Sequence, residues 1–115
     1  MKIKVKLLIG GTNVRTDINE INDGGIQIIV GTPGRVRDMI HRGILKTDFL
    51  RMIVLDEADE IFYRGFIEEV NGIFMNLPAD DVQVYLFSAT IPQELIEITQ
   101  KIIKDPLKYF LSIKS

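Results

Sequence analysis

The sequence predicts an α/β fold built on a mostly parallel sheet. Short apolar runs rich in branched residues, Ile26 to Val30, Met52 to Leu55 and Val82 to Phe87, have the length and composition of buried strands. Between them lie segments whose apolar residues recur at the spacing of one helix face. The two kinds of segment alternate along the chain. Alternating β and α units close into a parallel sheet covered by helices on both faces, a three-layer arrangement.

The elements follow in order. Ile3 to Ile9 is a strand with Lys2, Lys4 and Lys6 on its wet face. Thr12 or Asn13 caps a helix in which Val14, Ile18 and Ile21 share one side, and Gly24-Gly25 stops it. After Ile26 to Val30, Thr32 caps a helix with Pro33 at its first position. That helix turns Val36, Met39 and Ile40 inward and ends at Gly43. Beyond Leu55 a helix carries Phe66, Ile67, Val70, Ile73, Phe74 and Leu77. Pro92 opens the next, with Leu95, Ile98 and Ile102 inward, Glu94 and Glu97 early, Lys101 and Lys104 late, and Pro106 as its stop. Leu107 to Ile113 is a last strand.

At 115 residues and 46% hydrophobic, the chain can build one core. No apolar run approaches the ~20 residues a membrane span needs. Its start, Met1 to Lys6, alternates charge and apolar residue, unlike a signal peptide. With no cysteine there is neither a disulfide framework nor a thiolate metal site, as suits an intracellular protein. A net charge of −2 argues against a generally basic coat, but the charge is uneven. Between Gly34 and Arg51, five Lys/Arg (35, 37, 42, 46, 51) face two Asp (38, 48), giving +3. From Ile53 to Asp81, eight acids (56, 57, 59, 60, 68, 69, 80, 81) face Arg64, giving −7. Such patches act locally on phosphate backbones; ordinary solvated charge is the competing explanation.

Four motifs fall at the carboxyl ends of the strands, where open α/β sheets gather their functional loops, so they are expected to share one edge. Asp56-Glu57-Ala58-Asp59 follows Met52 to Leu55. Paired carboxylates there can hold Mg²⁺ on a nucleotide and orient an attacking water; an acidic helix start is the plainer alternative. Thr32-Pro33-Gly34-Arg35 opens a helix whose N–H groups suit a phosphate oxygen, with Arg35 as a bidentate donor. A capped turn explains the same residues. Gly10-Gly11 ends the first strand, and Ser88-Ala89-Thr90 follows Val82 to Phe87, where it also fits a helix-capping turn. His41 sits on an exposed helix face with no constellation around it, and Met39, Met52, Met75 and the phenylalanines read as core.

In this order the stretches Ile9 to Arg15, Val30 to Val36, Val54 to Phe66 and Leu86 to Thr90 resemble the DEAD-box RNA helicases. The similarity is greatest to the branch serving the eukaryotic cap-binding translation initiation complex. The resemblance implies a partial RecA-like fold of the P-loop NTPase type, with residues 1–115 forming the later part of the first, ATP-binding lobe. It implies an ATP-dependent RNA helicase in which Asp56 holds Mg²⁺ through water and Glu57 positions the hydrolytic water. Asp59 then relays to Ser88 and Thr90, while Gly10, Gly11, Thr32, Pro33, Gly34 and Arg35 contact the RNA sugar-phosphate backbone. ATP and Mg²⁺ are the implied cofactors of the whole protein. Sequence-nonspecific RNA and a translation-initiation scaffold protein are the implied partners, and the cytoplasm, or the nucleus, the implied location.

No Gly-Lys dipeptide occurs in the chain, so the G-x-x-x-x-G-K-[ST] phosphate loop that the family requires is missing, as is a second lobe. Gly43 to Thr47 is a decoy, without a glycine before its lysine. These residues alone are therefore expected to be inactive and to hold no cofactor. The alternative function is a non-catalytic RNA- or scaffold-binding module. By the same resemblance, the strand leading to the absent loop belongs beside Val82 to Phe87. Its loss favours a strand-exchanged or edge-paired dimer, against a last strand that fills the vacancy within one chain.

Overall fold

The computed structural model describes residues 2–77, 82–102 and 109–113. It divides into two compact units, residues 1–46 and 47–115. All strand pairs within them are parallel, in agreement with the predicted fold class. No described helix is long and apolar enough to cross a membrane.

In the first unit, β1 (Val5–Leu8) pairs with β2 (Ile28–Gly31) in the register Val5↔Ile28 to Leu8↔Gly31. Helix α1 (Val14–Asn22) is capped by Asn13, whose Oδ1 accepts from the amides of Arg15 at 2.9 Å and Thr16 at 3.4 Å. Val14, Ile18 and Ile21 are half-buried, and the chain leaves the helix through Gly24 and Gly25, both with positive φ. Helix α2 (Pro33–His41) starts at Pro33 as expected. Thr32 holds the cap position with an extended backbone, but its side chain makes no capping bond. Met39 and Leu8 are fully buried.

Of the three lysines expected on the wet face, Lys2 and Lys4 are exposed, but Lys6 is not, and the apolar residues between them are not covered. Lys6 and Leu8 are drawn in, while Ile3, Val5 and Leu7 are more than half exposed. Two carboxylates on α1, Asp17 and Glu20, pair with Lys6 and so pull the lysine side of the strand under the helix.

In the second unit, β4 (Gln83–Ser88) lies between β3 (Met52–Leu55) and β5 (Tyr109–Ile113). Val82, Val84 and Leu86 are buried along β4. The expectation of a buried strand fails for β3, where Met52 and Val54 are about half exposed. Among the described residues β3 has one neighbour, so only part of it is covered. The helix expected after Leu55 is two, α3 (Ala58–Tyr63) and α4 (Ile67–Phe74), broken at Gly65 with φ +82°. Helix α5 (Gln93–Ile102) buries Leu95 against Ala58 and Leu86, with Leu55, Phe62 and Ile67 around them. The side chains of Ile98 and Ile102, expected inward, are not described, and the stop at Pro106 and the start at Leu107 lie outside the described residues. The edge of β4 away from β3 is taken by β5 of the same chain, from Val84↔Tyr109 to Ser88↔Ile113. Of the two ways of filling that edge, this single chain contains the intrachain one.

Gly31 marks the tightest approach in the first unit. A Cβ there would overlap the Leu8 carbonyl oxygen and come within 2.7 Å of Val36 Cγ2. Gly31→Ala should therefore cost about 2–3 kcal/mol of stability through overpacking against backbone. An unchanged urea midpoint would contradict that close approach.

Candidate functional site

The second unit presents a carboxylate cluster at the carboxyl ends of β3 and β4. Asp56 leaves β3 and is exposed; its Oδ1 accepts from the Glu57 amide at 2.9 Å. Glu57, also exposed, sits at φ +53°, ψ +49°, the only non-glycine residue with positive φ among the described residues. That left-handed backbone costs about 1–2 kcal/mol for a residue with a Cβ. It turns the chain sharply between two outward carboxylates and the buried pair Ala58 and Asp59.

Asp59 is bound from both segments. Its Oδ2 accepts from the Thr90 hydroxyl at 2.8 Å and the Thr90 amide at 3.1 Å, and its Oδ1 accepts from the Glu60 amide at 3.0 Å. Its own amide donates to Ser88 Oγ at 3.0 Å, and that fully buried hydroxyl donates onward to the Thr90 carbonyl. The expected relay residues thus meet, with a division of labour the sequence does not reveal. Thr90 binds the carboxylate, whereas Ser88 takes the Asp59 main chain. The Thr90 hydroxyl leads in holding the Asp59 carboxyl below the ordinary carboxylate range, against the opposing effect of burial.

The donors available to a metal here are carboxylate oxygens, and no group of three or more potential ligands occurs among the described residues. That set fits Mg²⁺, which takes one or two carboxylates and completes its shell with water and phosphate. It does not fit zinc or an all-protein calcium cage.

The first unit brings Gly10-Gly11 and Thr32 to Arg35 to the carboxyl ends of β1 and β2. Gly11 has φ +87°, and the Thr32 amide donates to the Leu8 carbonyl at 2.9 Å, fixing the start of α2 beside the end of β1. Gly34 faces open space, with nothing within 4 Å of where a Cβ would stand. Arg35, expected to face phosphate, turns instead to Thr12 and Asp17. The expected common edge therefore holds within each unit: one pair of motifs gathers in the first and the other in the second.

Asp17 is the residue that sequence reasoning passed over. It is buried, with Lys6 Nζ on Oδ1 at 2.9 Å and Arg35 Nη1 on Oδ2. Burial pushes its carboxyl up, but the hydrogen bonds and charges of Lys6 and Arg35 outweigh this and leave it below the ordinary range. Lys6 is raised in turn, first by Glu20 and then by Asp17. The readable signal is position: 14, 17, 18 and 21 form one helix stripe, and an acid within an apolar stripe demands a cationic partner.

The pH dependence follows from these directions. Asp17 and Asp59 contribute stability that is present above the unfolded carboxylate pKa of ~4 and lost as pH falls through their lowered folded values. Lys6 contributes below its unfolded value of ~10.4 and loses this as pH rises through its raised one. Thr90→Val should move the Asp59 carboxyl upward and shift acid unfolding to higher pH. A carboxyl ¹³C titration of Asp59 unchanged by the substitution would refute this assignment.

The model of the DEAD/DEAH box helicase family matches residues 1–98. An ATP-dependent RNA helicase eIF4A of Coccidioides immitis is 53% identical over 94% of this chain, and that of Chaetomium globosum 54%. The chain spans 27% of the length of each. Among solved structures, a DEAD box protein of Methanococcus jannaschii superposes with a TM-score of 0.83 at 34% identity, over 96% of this chain and 29% of its own. The yeast DEAD-box splicing factor Prp28 gives 0.82 at 25% identity, over 98% of this chain and 25% of its own.

Proposed function

The chain belongs to the DEAD/DEAH box helicase family, and on that footing we propose that it supplies the acidic nucleotide motif and part of the RNA-backbone contact of an ATP-dependent RNA helicase acting in translation initiation. The observation that carries this reading is the Asp59–Thr90 bond, which ties the acidic turn after β3 to the Ser88-Ala89-Thr90 turn after β4. A carboxylate held this firmly makes one turn report on the other. The similar fungal proteins are named ATP-dependent RNA helicases, which supports the same activity.

In this reading Asp56 and Glu57, both exposed, are the catalytic carboxylates. Asp56 is the Mg²⁺-holding group, acting through water, and Glu57 orients the water that attacks the terminal phosphate. Mg²⁺ supplies charge neutralisation on the nucleotide phosphates. Asp59, Ser88 and Thr90 couple that site to RNA. Gly10, Gly11, Thr32, Pro33, Gly34 and Arg35 form the RNA-facing region, whose backbone contacts discriminate little between sequences. An initiation scaffold protein is the further partner, and the cytoplasm the place of action.

The 115 residues contain no Gly-Lys phosphate loop. Hydrolysis therefore needs such a loop beside them, and on their own they act as a binding module. Expressed by themselves they should show background ATPase even with saturating RNA. Replacing the matching stretch of an eIF4A relative with this chain should restore RNA-stimulated hydrolysis. Glu57→Gln in that chimera should lower kcat by about 10²–10⁴, the scale of a lost base or water-positioning group. A chimera indifferent to Glu57→Gln would sink the proposed role.

Gly34 offers a second check. Alanine is favoured over glycine by about 1 kcal/mol in a helix interior and by less in the first turn, where Gly34 lies, so Gly34→Ala should raise the unfolding midpoint slightly. The added methyl should at the same time weaken binding of single-stranded RNA. Stronger or unchanged binding would exclude close approach at this point.

A further inference from the structure

Arg35 belongs to the motif expected to meet a phosphate, yet three of its five N–H donors are engaged inside the protein. Nη1 donates to Asp17 Oδ2 and, at 3.2 Å, to Thr12 Oγ1, while Nη2 donates to the Thr12 carbonyl at 3.0 Å. The Arg35 side chain is 9% exposed and that of Asp17 4%. Lys6 bridges Asp17 to Glu20, so two cations and two carboxylates balance within the cluster. Drawing Arg35 away would strip a buried carboxylate of one of its two cations, which is strongly unfavourable.

The Thr12 hydroxyl fixes the direction of these bonds. Its one hydrogen has the Ile9 carbonyl at 2.8 Å as nearest acceptor and Asp17 Oδ2 at 3.5 Å as the other, and toward Arg35, which can only donate, it accepts. Thr12 directly follows Gly10 and Gly11, where a Cβ would meet nothing within 4 Å. The glycine turn thus has little packing of its own. Arg35 lies in the first turn of α2 and reaches both Thr12 oxygens at once. A planar fork can do that; an ammonium cannot hold the same pair in fixed geometry.

We propose that Arg35 is a positioning residue: anchored by Asp17, it fixes the Gly10–Thr12 turn against the first turn of α2 and shapes the RNA-facing surface without itself contacting a phosphate. This deepens the RNA-backbone reading above and rests on it.

The test compares the chain with its Arg35→Ala, Arg35→Lys, Asp17→Asn and doubly substituted (Asp17→Asn with Arg35→Ala) forms. Each is titrated with a single-stranded oligouridylate over a salt series, and amide exchange is followed at Gly11 and Thr12. Arg35→Ala should lose about tenfold in affinity with an unchanged log–log salt slope. A slope flattened by ~0.7, the signature of one lost single-strand phosphate contact, overturns the proposal. Asp17→Asn removes a negative charge and releases the guanidinium. It should nonetheless weaken binding, and the double form should be no worse than Arg35→Ala. Tighter binding by Asp17→Asn would identify Arg35 as a phosphate ligand and end the proposal. Amide exchange at Gly11 and Thr12 should speed up in every variant while Gly24 stays unchanged. If Arg35→Ala does not fold, Arg35→Lys keeps the charge and loses the fork, so it is read by affinity and exchange: weaker binding with faster exchange at Gly11 and Thr12 is expected, and parent-like affinity overturns the proposal. A parent chain that binds no RNA at low salt refutes the RNA reading alone. The positioning claim is then judged by exchange, and protection at Gly11 and Thr12 unaltered in Arg35→Lys overturns it.

Discussion

A carboxylate withdrawn from water must be given donors, and each unit of this protein is arranged around one such group. In the first unit Asp17 gathers Lys6 and Arg35. In the second, Asp59 gathers Thr90 and the Glu60 amide, and its own amide is taken by Ser88. The two solutions differ in kind. Asp17 is satisfied by cations, which fixes side chains arriving from β1 and α2. Asp59 is satisfied by neutral donors close to it, which fixes main chain and leaves the local charge negative. A negative turn attracts a divalent cation, and a neutralised cluster does not repel an anion as bare carboxylates would.

Around these satisfied groups, the costs are carried where the protein faces outward. Glu57 keeps a left-handed backbone that a glycine would adopt more cheaply, and Gly34 keeps a helical position that alanine would fill to advantage. Strain at the first and a missing methyl at the second are intelligible if a side chain is needed at 57 and bare backbone at 34. Neither choice improves the fold. Gly31 is the contrast, since its missing Cβ is required by Leu8 and Val36 within the unit itself.

Much of this was legible in the sequence, and the parts that were not share a physical cause. The strand-forming runs, the Asn13 cap, Pro33 at the start of α2 and the glycine stops are local matters, settled by residues within a few positions of one another. The division at Gly65 is local too, but the apolar periodicity of residues 66–77 continues beyond it and masks the break. The faces of β1 are not local. Alternation says that Lys4 and Lys6 share a side opposite Val5 and Leu7, but not which side a helix will cover. That choice is made by Asp17 and Glu20 on a different element. The intramolecular partners of Arg35 are non-local in the same way, 18 and 23 residues away, whereas its motif suggests only phosphate. Met52 and Val54 have the composition of core, but composition cannot report how many neighbours a strand will have.

The same non-local pairing changes what the charge count means. From Gly34 to Arg51 the formal sum is five cations minus two acids, +3. Arg35 is cancelled by Asp17 and Arg42 by Asp38, which leaves Arg37, Lys46 and Arg51 without an ion pair among the described residues, against Asp48. Three minus one is +2, on a chain whose total is −2. So small an excess gives little long-range attraction to a polyanion at physiological ionic strength, where the screening length is ~8 Å. In the proposed reading, recognition of a phosphodiester backbone depends on short-range geometry, on where the glycine turn and the start of α2 present their main chain. A cation spent on holding such a turn in place contributes more to that geometry than one left in solvent as a point charge.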